Sequence, residues 1–196
     1  MMNRTIRMAS ISDSEAILSI YAPYVKDTAI TFEIEVPTLS EFSLRIEGIT
    51  KRYPYLVCQV DNQIVGYAYA SEHRERAAYL YDADVSIYVL PEYHSSGVAH
   101  ELYTHLFVLL DRLGYKNAYA AYTEPNIKSL KFHQKFGFEV IGTHHKTGYK
   151  LGKWHDVTWL EKTISEHDDN PEPIKLMSCF EHSAVYLQYL NKKVWQ

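Results

Sequence analysis

Two apolar runs, YLVCQV over 55–60 and QIVGYAYAS over 63–71, meet at Asp61-Asn62, and this arrangement constrains the chain more than any other. A turn dipeptide between two such runs reads as a β-hairpin, so the runs are expected to be antiparallel neighbours. Around the hairpin, strand-like and helix-like texture alternate. Thr5 to Ala9 reads as a first strand, and Ser12-Asp13-Ser14-Glu15 supplies an N-cap and an acidic first turn. The helix it opens is expected to reach about Val25, with Ile17, Ile20, Tyr21 and Tyr24 on one face. β-branched and aromatic residues fill Thr28 to Val36, and Pro37-Thr38 leads into a second helical pattern ending near Gly48-Ile49.

Beyond the hairpin, polar EHRERAA precedes YLYDADVSIYVL, a fourth strand closed by Pro91. HSSGVAHELYTHLFVLLDRLGY starts as a loop of small residues. It becomes a helix with Leu102, Leu106, Leu109 and Leu110 in register and Gly114 as its C-cap. KNAYAAY reads as a strand, PNIKSLKFHQKFGF as a helix, and VIGTHHKTGYKL with WHDVTWLEKTI as a final strand pair. The order is β-α-α-β-β-β-α-β-α-β-β, an α/β (α+β layered) chain.

With 196 residues, 46% of them hydrophobic and 22% charged, the chain fits one domain with a core and a short appendage. The domain is expected over 1–164. Residues 165–196 hold SEHDDNPEPIK, a charged linker, and then LMSCFEHSAVYLQYL, an amphipathic helical pattern. A net charge of -4 gives no basic field for nucleic acid. The start lacks a signal peptide and no run approaches the roughly 18 apolar residues of a membrane span, so a cytoplasmic protein without membrane contact is expected. Cys58 and Cys179 form no C-x-x-C pair and read as buried thiols. His100, His105, His144 and His145 read as surface or packing residues without partners at metal spacing, so no metal is expected. The 17 tyrosines fit half-buried strands better than pocket walls.

His94-Ser95-Ser96-Gly97-Val98-Ala99 lies between a strand and a helix, where backbone N–H groups and the helix dipole suit a phosphate. A purely structural turn with one Gly is an equally good reading of the loop alone. The wider segment SIYVLPEYHSSGVAHELYTHL, however, resembles the acetyl-CoA-binding motif of GNAT acetyltransferases, in which a Q/R-x-x-G-x-G/A loop follows a strand. Gly97 and Ala99 occupy its small-residue positions, and His94 stands where Gln or Arg is usual. RYPYLVCQVDNQIVGYAYAS, ELYTHL and GYKLGKWHDVTW narrow the resemblance to the phosphinothricin acetyltransferase branch over most of residues 4–164. The resemblance implies the GNAT fold, a mixed central sheet of about seven strands flanked by about four helices. It implies acetyl-CoA as co-substrate, held by Ile87, Tyr88, Val89, Ser95, Ser96, Gly97, Val98, Ala99, His100 and Asn126. A small-molecule amine acceptor and a homodimer are implied as well.

The same resemblance places a general base at Asp84, where the branch usually has Glu. Asp82 would share its face of an ideal strand, and paired carboxylates raise one pKa. On the residues alone, both aspartates read rather as solvent-facing groups or as ion-pair partners of Arg74 and Arg76. Asn126 and His133, seven residues apart, fall on one helix face. The branch resembles this chain in having His at the latter position, implying that His133 protonates the departing thiolate or orients the thioester. Phe32, Arg74 and Arg76 are implied around the acceptor, where guanidinium groups suit a carboxylate or phosphinate. EHRER also reads as a solvated charge run, and His73 stands where the branch has a larger apolar or aromatic residue. The expected function is acetyl transfer to the amino group of a small amino-acid-like acceptor, of phosphinothricin or methionine sulfoximine type, by direct attack. The alternatives are an acetyltransferase for a different amine or a protein N-terminus, and a non-catalytic acyl-CoA-binding module.

Overall fold

The computed structural model describes residues 4–177. Its strands are β1 (Arg4–Met8), β2 (Tyr55–Val60), β3 (Gln63–Glu72), β4 (Asp82–Val89), β5 (Asn117–Thr123), β6 (Glu139–Lys150) and β7 (Lys153–Thr163). The helices are α1 (Ser14–Asp27), α2 (Leu39–Thr50), α3 (Val98–Leu113) and α4 (Ile127–Lys135), in the expected sequence with the strands. One seven-stranded sheet runs β1-β2-β3-β4-β5-β7-β6, and β4 with β5 is its parallel pair. The hairpin forms as its turn residues dictate: Asp61 and Asn62 both adopt positive φ (47° and 69°), the backbone of a tight two-residue β-turn.

Both faces of the sheet are covered, and the side-chain alternation of β2 shows it. Leu56 and Cys58 join the cluster under α3, whereas Tyr55 and Val57 join the cluster under α1 and α2. Burial pushes the Cys58 thiol up to about 12, which keeps it an inert thiol. The α3 stripe foreseen in the sequence is fully used, with Leu102, Leu106, Leu109 and Leu110 all buried. Gly66 on β3 permits this close approach. A Cβ there would meet Val89 Cγ2 at 3.0 Å and Val98 Cγ1 at 3.1 Å, so the glycine seats the start of α3 against the end of β4. On the opposite face tyrosines stack in succession: Tyr55 on Tyr69 (4.8 Å), Tyr67 on Tyr88 (5.3 Å) and Tyr21 edge-on to Tyr88 (5.1 Å). Several of the 17 tyrosines are thus strand packing, as expected.

The start of α1 differs from the sequence reading. Asp13 makes no capping bond to the helix. Its carboxylate instead accepts two 2.7 Å hydrogen bonds from the Arg7 guanidinium, and further bonds from the Ser10 N–H and hydroxyl. The arginine fork, chiefly, holds the Asp13 carboxyl down to about 2. A carboxylate with a depressed folded pKa stabilises above its unfolded value and loses that contribution as the pH falls through the folded one. Asp13→Asn is therefore expected to cost about 2 kcal/mol at neutral pH. In denaturant melts the difference from wild type should shrink between about pH 4 and pH 2.

Residues 165–177, part of the expected linker, contact the domain at several points. The Lys175 N–H donates to Leu113 O (2.9 Å), Lys116 Nζ reaches Asp168 Oδ2 (2.6 Å), and Met177 is fully buried in the α3 cluster. Cys179 and most of the amphipathic pattern beyond it lie outside the described residues. Among the described residues no helix is long and apolar enough to cross a membrane.

Candidate active site

The site begins where two strands part. β4 pairs with β5 only from Asp82 to Asp84, against Asn117 to Tyr119. β5 then continues along β7 to Thr123 and β4 along β3 to Val89, so among the described residues the β5-facing edge of Val85–Val89 has no strand partner. Such an edge presents backbone donors and acceptors to whatever enters the opening. Ile87, Tyr88 and Val89 lie along it.

The loop from β4 to α3 sits beyond that edge. Ser95 and Gly97 both take positive φ (61° and 92°), and the Ser96 hydroxyl donates to Tyr93 O (2.6 Å). Arg4 ties the loop down, donating to Ser96 O (3.0 Å) and to Glu101 Oε1 (2.8 Å). Gly97 is the N-cap of α3 and makes no side-chain cap bond, so the start of α3 suits an anion. His94 stays exposed, yet its Nε2–H donates to Val89 O (3.1 Å) beside the Tyr24 hydroxyl, which donates to the same oxygen (2.6 Å). Histidine at this position thus ties the loop to the end of β4.

Asp84 lies where the parallel ladder ends. Its Oδ1 accepts a 2.7 Å hydrogen bond from His73 Nδ1, and the His73 ring lies flat on Tyr119, with centroids 4.0 Å apart. Side-chain exposure is 11% for His73 and 33% for Asp84. Burial pushes the Asp84 carboxyl above the usual carboxylate range, while His73 and then Arg74 draw it back. Asp82 adds least to that rise and accepts a hydrogen bond from Asn117 Nδ2 (2.9 Å). Desolvation, not a pair of repelling aspartates, is the main cause of the shift, and the ion-pair partner of Asp84 is His73 and not an arginine.

A cavity of about 460 Å³ adjoins this pair, lined by His73, Arg74, Tyr79, Tyr119, Ile141, Gly142, His144, Trp159 and Glu161. Arg74 stacks over Tyr79, 5.2 Å from its centroid. Arg76, by contrast, is an exposed N-cap of the short turn Ala77–Tyr79, and the structure does not bring it to the cavity. Nor does it bring Phe32 there. The Phe32 ring lies over Gly148 of β6, where a Cβ would collide with it. Its loop is held by Lys150 Nζ donating to Thr31 O (2.7 Å) and by Thr123 Oγ1 donating to Ala29 O (2.6 Å).

Asn126 caps α4, its Oδ1 accepting from the Ser129 N–H (3.0 Å). His133 is only 5% exposed and packs among Tyr103, Phe132 and Phe138. Its Nδ1–H donates to Ser129 O (2.9 Å), which leaves Nε2 to accept from the Tyr103 hydroxyl (3.1 Å). The structure therefore does not place His133 in the cavity beside Asp84. Burial holds its pKa below the ordinary histidine value, so the folded state keeps it neutral where an unfolded chain would take up a proton. Stability is expected to fall as the pH drops below about 6.5, and His133→Gln should flatten that slope in pH-dependent melts.

Sequence reasoning missed Arg4, Tyr119, Trp159 and Glu161, whereas His144 is exposed and packs on Trp159, in keeping with its reading as a surface or packing residue. The register supplies the missing signal: Asp84 lies opposite Tyr119, and Tyr119 opposite Glu161. Trp159 then shares the face of Glu161 by strand alternation.

A mixed sheet whose central parallel strands part above a half-buried carboxylate, with a glycine-started helix beyond, defines an acetyltransferase of the GNAT type. The comparisons agree, and they place it more narrowly. The family model described as Acetyltransferase (GNAT) domain matches residues 6–159, and the chain belongs to that family, in its phosphinothricin acetyltransferase-like branch. It is 32% identical to the phosphinothricin N-acetyltransferase of Streptomyces viridochromogenes, over 87% of this chain and 92% of that one. With the L-methionine sulfoximine/L-methionine sulfone acetyltransferase of Salmonella typhimurium it shares 29% identity, over 83% and 96% of the two chains. A crystal structure of a phosphinothricin acetyltransferase from Sinorhizobium meliloti in complex with AcCoA superposes with a TM-score of 0.82 at 31% identity, covering 90% of this chain and 99% of that one.

Proposed function

We propose that the chain transfers an acetyl group from acetyl-CoA to the amino group of a small amino-acid-like acceptor of phosphinothricin or methionine sulfoximine type, by direct attack. The observation that carries this reading is the His73–Asp84 pair at the point where β4 leaves β5, with Arg74 in the adjoining cavity. Acetyl-CoA supplies an activated thioester. The edge of β4 along Ile87, Tyr88 and Val89 that lacks a neighbouring strand is assigned to its main-chain-like arm, with Val89 O already taken by Tyr24 and His94, and Ser95 to His100 is assigned to its phosphates. Gly97 carries no side chain to hold a phosphate away from the main chain, which fits that role. Asn126, at the start of α4, is assigned to the same channel.

Asp84 is the carboxylate of the general base that frees the amine lone pair. Arg74 offers a planar cationic fork to the carboxylate or phosphinate of the acceptor, and it disfavours a cationic acceptor such as a polyamine. His133, neutral and bonded through both nitrogens, supports α4 and Tyr103 and orients the channel wall without relaying a proton. Thiol release from acetyl-CoA tests the reading, with phosphinothricin, methionine sulfoximine, methionine sulfone, free amino acids and polyamines offered in turn. Turnover is expected with an amino-acid-like acceptor. Binding of CoA without turnover of any acceptor would overturn the proposal in favour of a non-catalytic acyl-CoA-binding module.

A further inference from the structure

The hydrogen bond between His73 and Asp84 fixes more than the position of a carboxylate. When Asp84 is ionised its oxygens only accept, so the 2.7 Å contact requires the proton on Nδ1 of His73. In the neutral ring Nε2 then carries the lone pair. The ring cannot readily swing to exchange these roles. It lies at 14° to the Tyr119 plane, and Tyr79 meets it edge-on with centroids 6.3 Å apart. His73 also lines the cavity that we assign to the acceptor.

We propose that His73 Nε2, oriented and polarised by Asp84, is the atom that takes the proton from the acceptor's ammonium group. The inference rests on the acetyltransferase reading above and names the atom that does its first step. One proton leaves the ammonium for Nε2, and the imidazolium so formed is balanced by Asp84. The freed nitrogen lone pair forms the N–C bond to the acetyl carbon as the C–S bond breaks and sulfur takes its electron pair. The second proton lost by nitrogen neutralises the thiolate, and the proton on His73 passes to solvent. Other titratable or charged groups lie near the pair: Asp82 on β4, Glu161 on β7, Tyr53 before β2, Tyr69 on β3, Arg74, Tyr79, Tyr119 and His144.

The test is His73→Gln beside His73→Phe, assayed with an acceptor that the wild type acetylates. Glutamine keeps a hydrogen-bond donor toward Asp84 but has no ionisable ring. Both variants are expected to lose about 10²-fold or more in kcat/KM, with the KM for acetyl-CoA within about twofold, and to lose the ionisation that limits the wild type on the acid side. Restoration of wild-type rate and pH profile by glutamine would show that His73 only positions Asp84 and would overturn the proposal. If no acceptor is turned over, the acetyltransferase reading fails by itself. The pair is then judged by the side-chain nitrogen NMR signals of His73 in its neutral form. A protonated Nδ1 with an unprotonated Nε2 upholds the assignment, and the reverse tautomer overturns it.

Discussion

Asp84→Asn is expected to lower kcat/KM for acetyl transfer by about 10²- to 10⁴-fold, in line with the loss of a general base or of the carboxylate that orients one. An amide cannot balance a positive charge on His73, and it no longer dictates which ring nitrogen carries the proton. The same substitution should leave stability intact. The folded pKa of Asp84 is raised, so its stabilising contribution belongs to low pH and is lost as the pH rises through the folded value. At neutral pH the ionised carboxylate is a burden on the fold, which asparagine relieves. Thermal melts and thiol-release kinetics on one preparation check both halves. A variant with wild-type rates across pH would remove Asp84 from the chemistry, and one that melts well below wild type would mark a structural role.

Gly97→Val should raise the KM for acetyl-CoA by about tenfold or more, because strain of about 1–3 kcal/mol is expected from a β-branched residue held at positive φ. The loop can relieve that strain only by giving up the backbone placed between Ser96 and Val98. Gly97→Asn provides the control, since asparagine tolerates the left-handed region far better. It is expected to show a clearly smaller rise in KM, with kcat at saturating acetyl-CoA little changed in either variant. Calorimetric titration with CoA separates binding from turnover. Equal affinities for valine, asparagine and wild type would dissociate the loop from the cofactor.

What the sequence disclosed about this fold was local. The hairpin at Asp61-Asn62, the leucine stripe of α3 and the C-cap at Gly114 each depend on residues a few positions apart, and each formed as read. The site was legible only where a motif is contiguous, as from β4 through Gly97. The cavity wall is not contiguous, because β7 inserts between β5 and β6, and no local period reports that insertion. Glu161 and Trp159 therefore looked like ordinary strand residues. His133 shows a different limit. Helical spacing gave its register with Asn126, but Phe132, Phe138 and Tyr103 on α3 enclose the ring, and that enclosure is a tertiary fact. For His73, the hydrogen bond to Asp84 needed the β3–β4 register, which sets Ser71 opposite Asp84 and so carries the next residues of the chain alongside that carboxylate.

The flat contact of Phe32 on Gly148 joins two positions more than a hundred residues apart in the chain. Neither can drift alone. A side chain gained at 148 displaces the aromatic ring, and a ring lost at 32 leaves bare backbone open to water. Over evolutionary time the two sites are therefore expected to change together, with glycine at 148 surviving wherever an aromatic residue survives at 32. A lineage that altered the α1–α2 loop at position 32 would leave its trace in the β6 strand as well.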